Sequence, residues 1–170
     1  NENEQSHIDF ADLQVVLDDT HAFVDLIHLD SSHKTEWQQL LIIIHTLDHM
    51  QRVHDRCNEK PHLAHLLKQV PELRPTLTQL NLALSELIES LAQEKWNKAY
   101  KIAKANRKNL KRAAAPVRNN LMLDIATGKL SVPAATDYLE AIRWLQRLYN
   151  HLLRITHHLR RLEHDDNNSR

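Results

Sequence analysis

Residues 142–155 read IRWLQRLYNHLLRI, and an imperfect copy of this stretch, IHTLDHMQRVH, occupies residues 44–54. The two stretches align without a gap, because Leu145 and Leu47 stand 145 − 47 = 98 positions apart. The same offset aligns further identical residues on either side of the two leucines. Internal similarity at one fixed offset indicates a duplicated structural unit.

The composition favours helices over strands. The 170 residues include one Gly, five Pro and 5% aromatic residues, while Leu, Ala, Lys, Glu, Gln and Arg are common. These common residues are good helix formers. A chain of this length buries about two-thirds of its unfolded surface, so it needs neither a disulfide nor a metal to fold. We therefore expect an all-α protein, an antiparallel bundle of about five long helices with an internal pseudo-repeat.

Apolar residues recur at steps of three and four along most of the chain, a pattern typical of amphipathic helices. The expected helices cover about residues 8–29, 33–58, 77–93 and 95–127, and a fifth begins after Ser131. A weaker segment at residues 62–70 lies between prolines. The bundle is expected to cover residues 8–163, with residues 1–7 disordered and residues 164–170 forming a frayed tail.

The ends of these helices are marked by residues with capping preferences. Ser31 and Ser32 offer an N-cap for the second helix, and Ser131 offers one for the fifth. Gly128 is the only glycine and stands where the fourth helix needs a left-handed C-cap. Pro116 lies inside the fourth helix, where it predicts a kink without a break.

The chain has no segment typical of membrane insertion or export. Its longest strongly apolar run, residues 40–44, is far shorter than the roughly 20 residues of a membrane-spanning helix. Residues 1–6 lack the basic start and the apolar centre of a signal peptide. Cys57 is the only cysteine, which predicts a semi-buried free thiol and no intrachain disulfide. A soluble domain is therefore expected.

Charge is divided unequally along the chain. Residues 1–94 carry 6 Lys and Arg against 16 Asp and Glu, and residues 95–170 carry 16 against 6. The fourth helix concentrates basic residues on one face, at Lys95, Lys98, Lys101, Lys104, Lys108, Lys111 and Arg112. This face is either a solvated surface or a binding surface for anionic headgroups or an acidic partner protein. Nucleic acid is not expected, because the net charge is zero and no reading motif accompanies the stripe.

Thirteen histidines raise the question of a metal site. His45, Asp48 and His49 fall at positions i, i+3 and i+4 and share one helix face. A similar stepping relates His21, Asp25 and His28. Both sets are better explained as polar flanks of helices, because the composition alone scatters histidines densely along the chain. We therefore assign no cofactor, and a divalent metal at His45, Asp48 and His49 is an alternative.

Motifs of catalysis are missing from the sequence. It contains neither a glycine-rich phosphate loop nor a nucleophile elbow, and its single glycine is assigned to a helix cap. We therefore expect no enzymatic activity.

The second copy of the duplicated stretch resembles a known family. Residues 143–155, RWLQRLYNHLLRI, follow a long helix and the loop TGKLS at 127–131. This order is similar to the last helix pair of a PhoU-type three-helix repeat, and PhoU-like domains are helical bundles of two such repeats. The resemblance covers residues 72–163 best and residues 8–58 as a truncated first repeat.

The resemblance also implies a helical Glu-x-x-x-Asp metal pair in each repeat. The matching positions are Asp48 and Arg52 in the first copy, and Gln146 and Asn150 in the second. Three of these four positions lack a carboxylate, neutral amides are poor ligands for hard cations, and Arg52 would repel one. The resemblance therefore implies the fold and a regulatory role, and it does not extend to a metal cluster.

PhoU-like domains occur as free cytosolic regulators of phosphate uptake and as C-terminal cytoplasmic tails of bacterial sodium/phosphate cotransporters. The absent initiator Met, the short first repeat and the lost metal ligands favour the tail. The resemblance then implies a membrane-associated regulatory domain of phosphate transport at the cytoplasmic side of the bacterial inner membrane. Its partner would be the transporter segment of the same polypeptide or another uptake component, and a homodimer is left open. The alternatives are a free-standing cytosolic regulator and a metal-binding helical bundle for storage or sensing.

Overall fold

The computed structural model describes the backbone of residues 9–30 and 32–168 and the side chains of these residues up to Glu163. Within these residues it is all-helical, with 88% helix and no strand. The six α-helices are α1 (Phe10–Asp25), α2 (Lys34–Glu59), α3 (Pro61–Lys68), α4 (Arg74–Ala92), α5 (Trp96–Ala126) and α6 (Val132–Asn168). A short 3₁₀ turn, Pro71–Leu73, joins α3 to α4. The expected all-α class is confirmed.

Six α-helices are present in the described chain, where about five long ones were expected. The additional helix is α3, which occupies the weak segment at residues 62–70. Pro61 follows the end of α2 and occupies the first turn of α3, where its missing N–H costs nothing. Pro75 has the same place at the start of α4. Both prolines therefore separate two helices without leaving a long loop between them.

The connection between α5 and α6 agrees with its expected caps. Gly128 has φ +70°, the left-handed conformation that glycine adopts without a steric penalty. The Ala134 N–H donates to Oγ of Ser131 at 3.4 Å, as an N-cap serine requires. α5 continues through Pro116 without a break.

The expected serine cap of the second helix is wrong. The N-cap residue of α2 is His33, and it makes no side-chain capping bond. Ser32 instead donates its backbone N–H to Oδ1 of Asp30 at 2.8 Å, which ties it to the preceding turn. Ser31 and the expected disordered segment 1–7 lie outside the described residues. At the other end of the chain, α6 continues to Asn168 through most of the segment expected to fray, and residues 169–170 are not described.

Helix α6 makes its most extensive contacts with α5, α2 and α3, and it also touches α4. The largest buried cluster forms where α3, the 3₁₀ turn, α5 and α6 meet, and it includes Leu63, Leu73, Val117 and Ile142. Further along α5 and α6, Tyr149 packs with Leu80 and Leu110. Its hydroxyl donates to the Leu80 carbonyl at 3.2 Å, which holds α4 against this part of the bundle.

Helix α1 packs on α2 through a smaller cluster of Leu17, Val24, Leu40 and Leu47. Much of its apolar surface remains exposed, and the side chain of Phe23 is 67% accessible. Across residues 9–30 and 32–168, no helix has the length and apolar character that crossing a bilayer requires.

Candidate functional site

The basic face predicted for α5 is present as an exposed surface. All seven of its residues are exposed: Lys95, Lys98, Lys101, Lys104, Lys108, Lys111 and Arg112. The opposite side of the helix is buried at Ala99, Ala103, Leu110, Val117 and Leu121. The amphipathic pattern of the sequence therefore describes the helix correctly, and anion binding by this face stays a prediction.

Few of these cations are neutralised by neighbouring acids. Lys98 pairs with Glu86 of α4 at 2.9 Å, and Lys95 donates to the side chain of Gln93 at 2.7 Å. The remaining five make no ion pair within 4.0 Å with a described residue. The acidic N-terminal half of the chain therefore does not cover the basic face, and most of its charge is available to a partner.

In the second copy, the two positions that the resemblance to PhoU-like domains aligns with metal ligands are hydrogen-bonded to arginines. Gln146 and Asn150 lie one helical turn apart on α6. The side-chain oxygen of Gln146 accepts a hydrogen bond from Arg118 of α5, and that of Asn150 accepts one from Nε of Arg107. Both oxygens that could face a metal are thus occupied by guanidinium groups, which exclude a second cation by charge repulsion.

The matching positions in the first copy form an ion pair. Nε of Arg52 donates to Asp48 at 2.9 Å, one turn along α2. Arg52 accordingly lowers the pKa of the Asp48 carboxyl, mainly through this hydrogen bond. The only carboxylate at the four family positions is therefore satisfied by an arginine. The residues present do not fit the family's metal cluster in either copy.

Two adjoining clefts run between α5 and α6 and share Arg107 and Asn150. The larger has a volume of about 470 Å³ and is also lined by Tyr100, Leu153, Arg154 and His157. The smaller, of about 220 Å³, is also lined by Leu110, Lys111, Arg118 and Gln146. No Asp or Glu occurs among these described lining residues. We refer to the two clefts together as the arginine groove.

On its other side, α6 meets α2 through four histidines, which we call the histidine seam: His45 and His49 from α2, and His151 and His158 from α6. His157 adjoins His158 and faces Tyr100 of α5. The closest approach is 3.3 Å, between Nδ1 of His49 and Nδ1 of His151. The ring of His158 stacks on those of His45 and His49, each at a centroid distance of 5.8 Å. Of the predicted set, His45 and His49 do come together with further histidines, whereas Asp48 is held by Arg52.

Hydrogen bonding assigns the tautomers in the centre of the histidine seam. Nε of Arg56 donates to Nε2 of His151 at 3.4 Å, so that nitrogen carries no proton. A neutral His151 then has its proton on Nδ1, which donates to Nδ1 of His49. This chain of donors requires both imidazoles to be uncharged.

Burial favours the same neutral state across the histidine seam. It is the largest cause that lowers the pKa of His49, His151 and His157, and arginine charges add to it. The pKa of His158 falls to about 4, because burial and the neighbouring His157 both oppose its protonation. Nδ1 of His158 is also buried without a hydrogen-bond partner among the described residues. The lowered pKa values therefore favour the uncharged state of His49, His151, His157 and His158 at neutral pH.

The predicted histidines and aspartates do not form a metal site with three or more ligands among the described residues. Among the described side chains, no group of three or more His, Cys, Asp or Glu is placed to hold a metal ion. The second predicted set, His21, Asp25 and His28, lies on or just after α1 and is partly or fully exposed.

A wide apolar groove of about 810 Å³ opens on another side of the bundle. It lies between α2, α3, α4 and α6 and is lined by residues that include Val53, Leu67, Leu84 and Leu148. Cys57 also lines it, and burial raises the pKa of its thiol. A raised pKa keeps the thiol protonated and unreactive, as expected for a structural cysteine.

The sequence could have indicated the arginines but not their partners. Arg107 and Arg118 are 118 − 107 = 11 residues apart, about three helical turns, so they share one face of α5, which adjoins the lysine stripe at Lys111. Their pairing with Gln146 and Asn150 depends on how α6 packs. In the same way, His151 and His158 join His49 only through tertiary structure, since they lie about 100 positions away in the sequence.

Comparison with models of protein families, with curated proteins and with solved structures finds no match to this chain.

Proposed function

We propose that this chain is a PhoU-like regulatory domain, the cytoplasmic tail of a bacterial sodium-dependent phosphate cotransporter. In this proposal it acts through contacts of its helix surfaces, at the cytoplasmic side of the inner membrane, and it performs no bond chemistry. The observation that carries the proposal is the basic face of α5. Its seven cations are exposed, six of them without an acidic partner among the described residues.

The packing of the two copies supports a PhoU-like antiparallel bundle. Contacts along α2 and α6 run in opposite directions, from His45 beside His158 to Lys60 beside Glu140. The same is true of α5 and α6, where Tyr100 lies beside His157 and Arg118 bonds to Gln146. The feature that supports the resemblance is thus that α6 runs antiparallel to both α2 and α5.

Two kinds of surface support binding by helix contacts. The basic face of α5 suits the anionic headgroups of a cytoplasmic leaflet, which attract a nearby Lys or Arg by about 1 kcal/mol each. The apolar groove beside α4 and the exposed apolar residues of α1 and α2 suit a protein partner, since large exposed apolar patches mark interaction sites. The transporter segment of the same polypeptide could use either surface, and a homodimer could use the apolar one.

Vesicle binding tests the role of the basic face. Lys101→Glu together with Lys108→Glu should weaken sedimentation with vesicles rich in anionic lipid by about tenfold or more, because the substitutions reverse two of its charges. Lys34→Glu together with Lys129→Glu makes the same change of net charge away from α5 and should weaken binding less than about threefold. Equal binding by the wild type and the α5 variant would mean that the basic face is a solvated surface with no role in binding vesicles.

The coding sequence upstream of Asn1 distinguishes a transporter tail from a free-standing cytosolic regulator. A hydrophobic region with several spans encoded in frame immediately upstream supports the tail. A start codon directly before Asn1 contradicts it.

The histidine seam favours a second candidate, a metal-binding bundle for storage or sensing. Its carrying observation is the 3.3 Å approach of the two Nδ1 atoms of His49 and His151, a separation that two ligands of one metal ion could have. Elemental analysis of tag-free protein tests this candidate. A stoichiometric content that His49→Asn abolishes supports it, and a sub-stoichiometric content excludes it.

A further inference from the structure

The arginine groove combines several cations with no counter-charge. Arg107, Arg118 and Lys111 reach it from α5, and Arg154 reaches it from α6. None of the described residues lining the groove is acidic, and none of these four cations pairs with a described carboxylate. Such clustering is electrostatically unfavourable in the absence of an anion, which makes the groove different from an ordinary solvated face.

Hydrogen bonds to side chains of α6 fix the orientation of two of these guanidinium groups. Arg107 is fixed through its Nε by Asn150, and this leaves both of its terminal nitrogens unused by that bond. Arg118 is held through one terminal nitrogen by Gln146 and is half-buried. A fixed guanidinium loses less conformational entropy when it binds, and its planar donors match the paired oxygens of a phosphate group.

At the edge of the groove, one nitrogen of a further arginine has no hydrogen-bond partner among the described residues. Arg160 lies over the ring of Tyr100, a lining residue, with its guanidinium carbon 4.0 Å from the ring centroid. Its Nε is buried and has no hydrogen-bond partner among the described residues. Buried donors are normally satisfied, so an unsatisfied one next to a cationic cleft is a place where an acceptor is missing.

We propose that the arginine groove binds a phosphate-type oxyanion, held by Arg107 from α5 and Arg154 from α6. This inference goes beyond the proposed function, because it depends on the packing of α5 against α6 and not on the membrane. Of the seven residues of the basic face, only Lys111 lines the groove. Guanidinium groups bonded to Gln146 and Asn150 supply the positive charge, and the oxyanion is their counter-ion.

The chemistry of the groove selects for charge and for several oxygens. An anion with two negative charges gains more from the cluster than chloride does, because the Coulomb energy scales with its charge. Tyr100 adds a hydroxyl donor at the wall of the larger cleft. His157 also lines this cleft, where burial and then Arg160, Arg161 and Arg154 lower its pKa. It therefore reports on the local charge.

Titration of the purified domain with inorganic phosphate tests the proposal. Calorimetry in a zwitterionic buffer of constant ionic strength should give saturable binding with one site. NMR of the His157 ring should show its pKa rising when phosphate is added, because a bound anion offsets the nearby arginine charges. Arg107→Gln together with Arg154→Gln should weaken phosphate binding by about tenfold or more, since charged hydrogen bonds are lost.

The matched control is Lys101→Gln together with Lys108→Gln, which removes the same charge from the outer face of α5. It should weaken phosphate binding by less than about threefold. Asn150→Asp is a second variant that keeps every arginine and places a carboxylate beside Arg107. It should also weaken phosphate binding by about tenfold or more, and circular dichroism should show both groove variants to be as helical as the wild type.

Distinct results overturn the proposal. These are an absence of saturable phosphate binding by the wild type, or an equal loss in the lysine control and the groove variant. Unchanged binding by Asn150→Asp would contradict it in the same way, even if Arg107→Gln failed to fold.

The two sources of the anion are separated with vesicles. Lipids with a phosphomonoester headgroup should bind more tightly than phosphatidylglycerol, and inorganic phosphate should compete, if the groove accepts a headgroup. Equal binding to both lipids together with saturable binding of inorganic phosphate assigns the groove to the free ion. Both outcomes support an oxyanion site.

Discussion

Helix α6 presents two contrasting faces, the histidine seam toward α2 and the arginine groove toward α5. In the histidine seam, Nδ1 of His151 lies 3.3 Å from Nδ1 of His49. In the arginine groove, Arg107 and Arg118 of α5 donate hydrogen bonds to side-chain amide oxygens of α6. Both faces carry basic side chains, and they differ in how much water reaches them. His49, His151 and His158 are half-buried between α2 and α6, whereas Arg107 is exposed.

The difference shows how one helix can hold basic residues in two charge states. Imidazole has an ordinary pKa of 6.5, so burial is sufficient to keep His49 and His158 neutral. A guanidinium cannot be neutralised in this way, and it needs solvent or an acceptor. The α2 side can therefore be switched by pH, whereas the α5 side is permanently charged and depends on its anions.

The largest effect should come from removing the core residue that lies between the two faces. Leu145 packs against the buried clusters around Ile142 and Tyr149. Leu145→Ala should destabilise the fold by about 2–5 kcal/mol, because deleting a core side chain loses transfer free energy and leaves a cavity. Urea denaturation measures this change. Met122→Ala on α5 is the control, since that side chain is 58% exposed and should have little effect.

An equal, small effect of both substitutions would mean that Leu145 does not lie in the core. The register that places the histidine seam and the arginine groove on opposite sides of α6 would then be incorrect.

The next effect is a loss of stability in acid that depends on the histidine seam. Folding lowers the pKa of His49, His151, His157 and His158 below the ordinary value of 6.5. The unfolded chain therefore binds more protons between these pKa values. Stability should be complete above about pH 7 and should fall progressively as the pH decreases toward 4. The charged groups acting on the seam are Asp48, which opposes this trend, and Arg52, Arg56, Arg154, Arg160 and Arg161, which reinforce it.

Urea midpoints measured from pH 7.5 to pH 5 check this expectation. His49→Asn together with His158→Gln should flatten the pH dependence, because the substitutions remove two of the shifted groups. His21→Gln together with His28→Gln, on the α1 side, should leave the slope as in the wild type. Identical slopes in all three proteins would show that the histidine seam is not the source.

The sequence predicts well those features that depend on local pattern. The apolar stripe of α5 and the glycine cap at Gly128 follow from spacing and backbone preference, and both are present. The short helix α3 was underestimated, because a segment of eight residues between prolines has too few turns for a clear period. Where two apolar residues are adjacent, periodicity allows either to face inward, and packing on α2 buries Val24 and leaves Phe23 exposed.

The candidate sites could be predicted only in part. Spacing identified His45 and His49, because both belong to one helix face. It could not identify His151 as a partner or Arg107 as the group that occupies Asn150, since these contacts join residues 102 and 43 positions apart. Interhelical contacts depend on the packing register, and local propensity does not encode that register.

A smaller effect is expected at the indole that joins α2 to α6. Nε1 of Trp144 donates to the carbonyl of Arg56 at 2.9 Å. Trp144→Phe keeps an aromatic ring but leaves this carbonyl unpaired, which should cost about 1 kcal/mol. Trp37→Phe is the control, because Trp37 is exposed near the start of α2. A difference between the two variants in urea denaturation would place this bond among the interactions that hold the histidine seam closed, and equal stabilities would exclude it.

The smallest effect should be at the end of the same interface, where Lys60 and Glu140 form an ion pair. Lys60 lowers the pKa of the Glu140 carboxyl, so any stabilisation is present above the ordinary carboxyl pKa of 4.5 and is lost as the pH falls below it. Both side chains are nearly half exposed, at 47% and 46%, so water and salt screen the attraction. A double-mutant cycle of Lys60→Gln and Glu140→Gln at neutral pH should therefore give a coupling within experimental error. A clear coupling that persists in salt would mean that α2 and α6 are held together by charge as well as by packing.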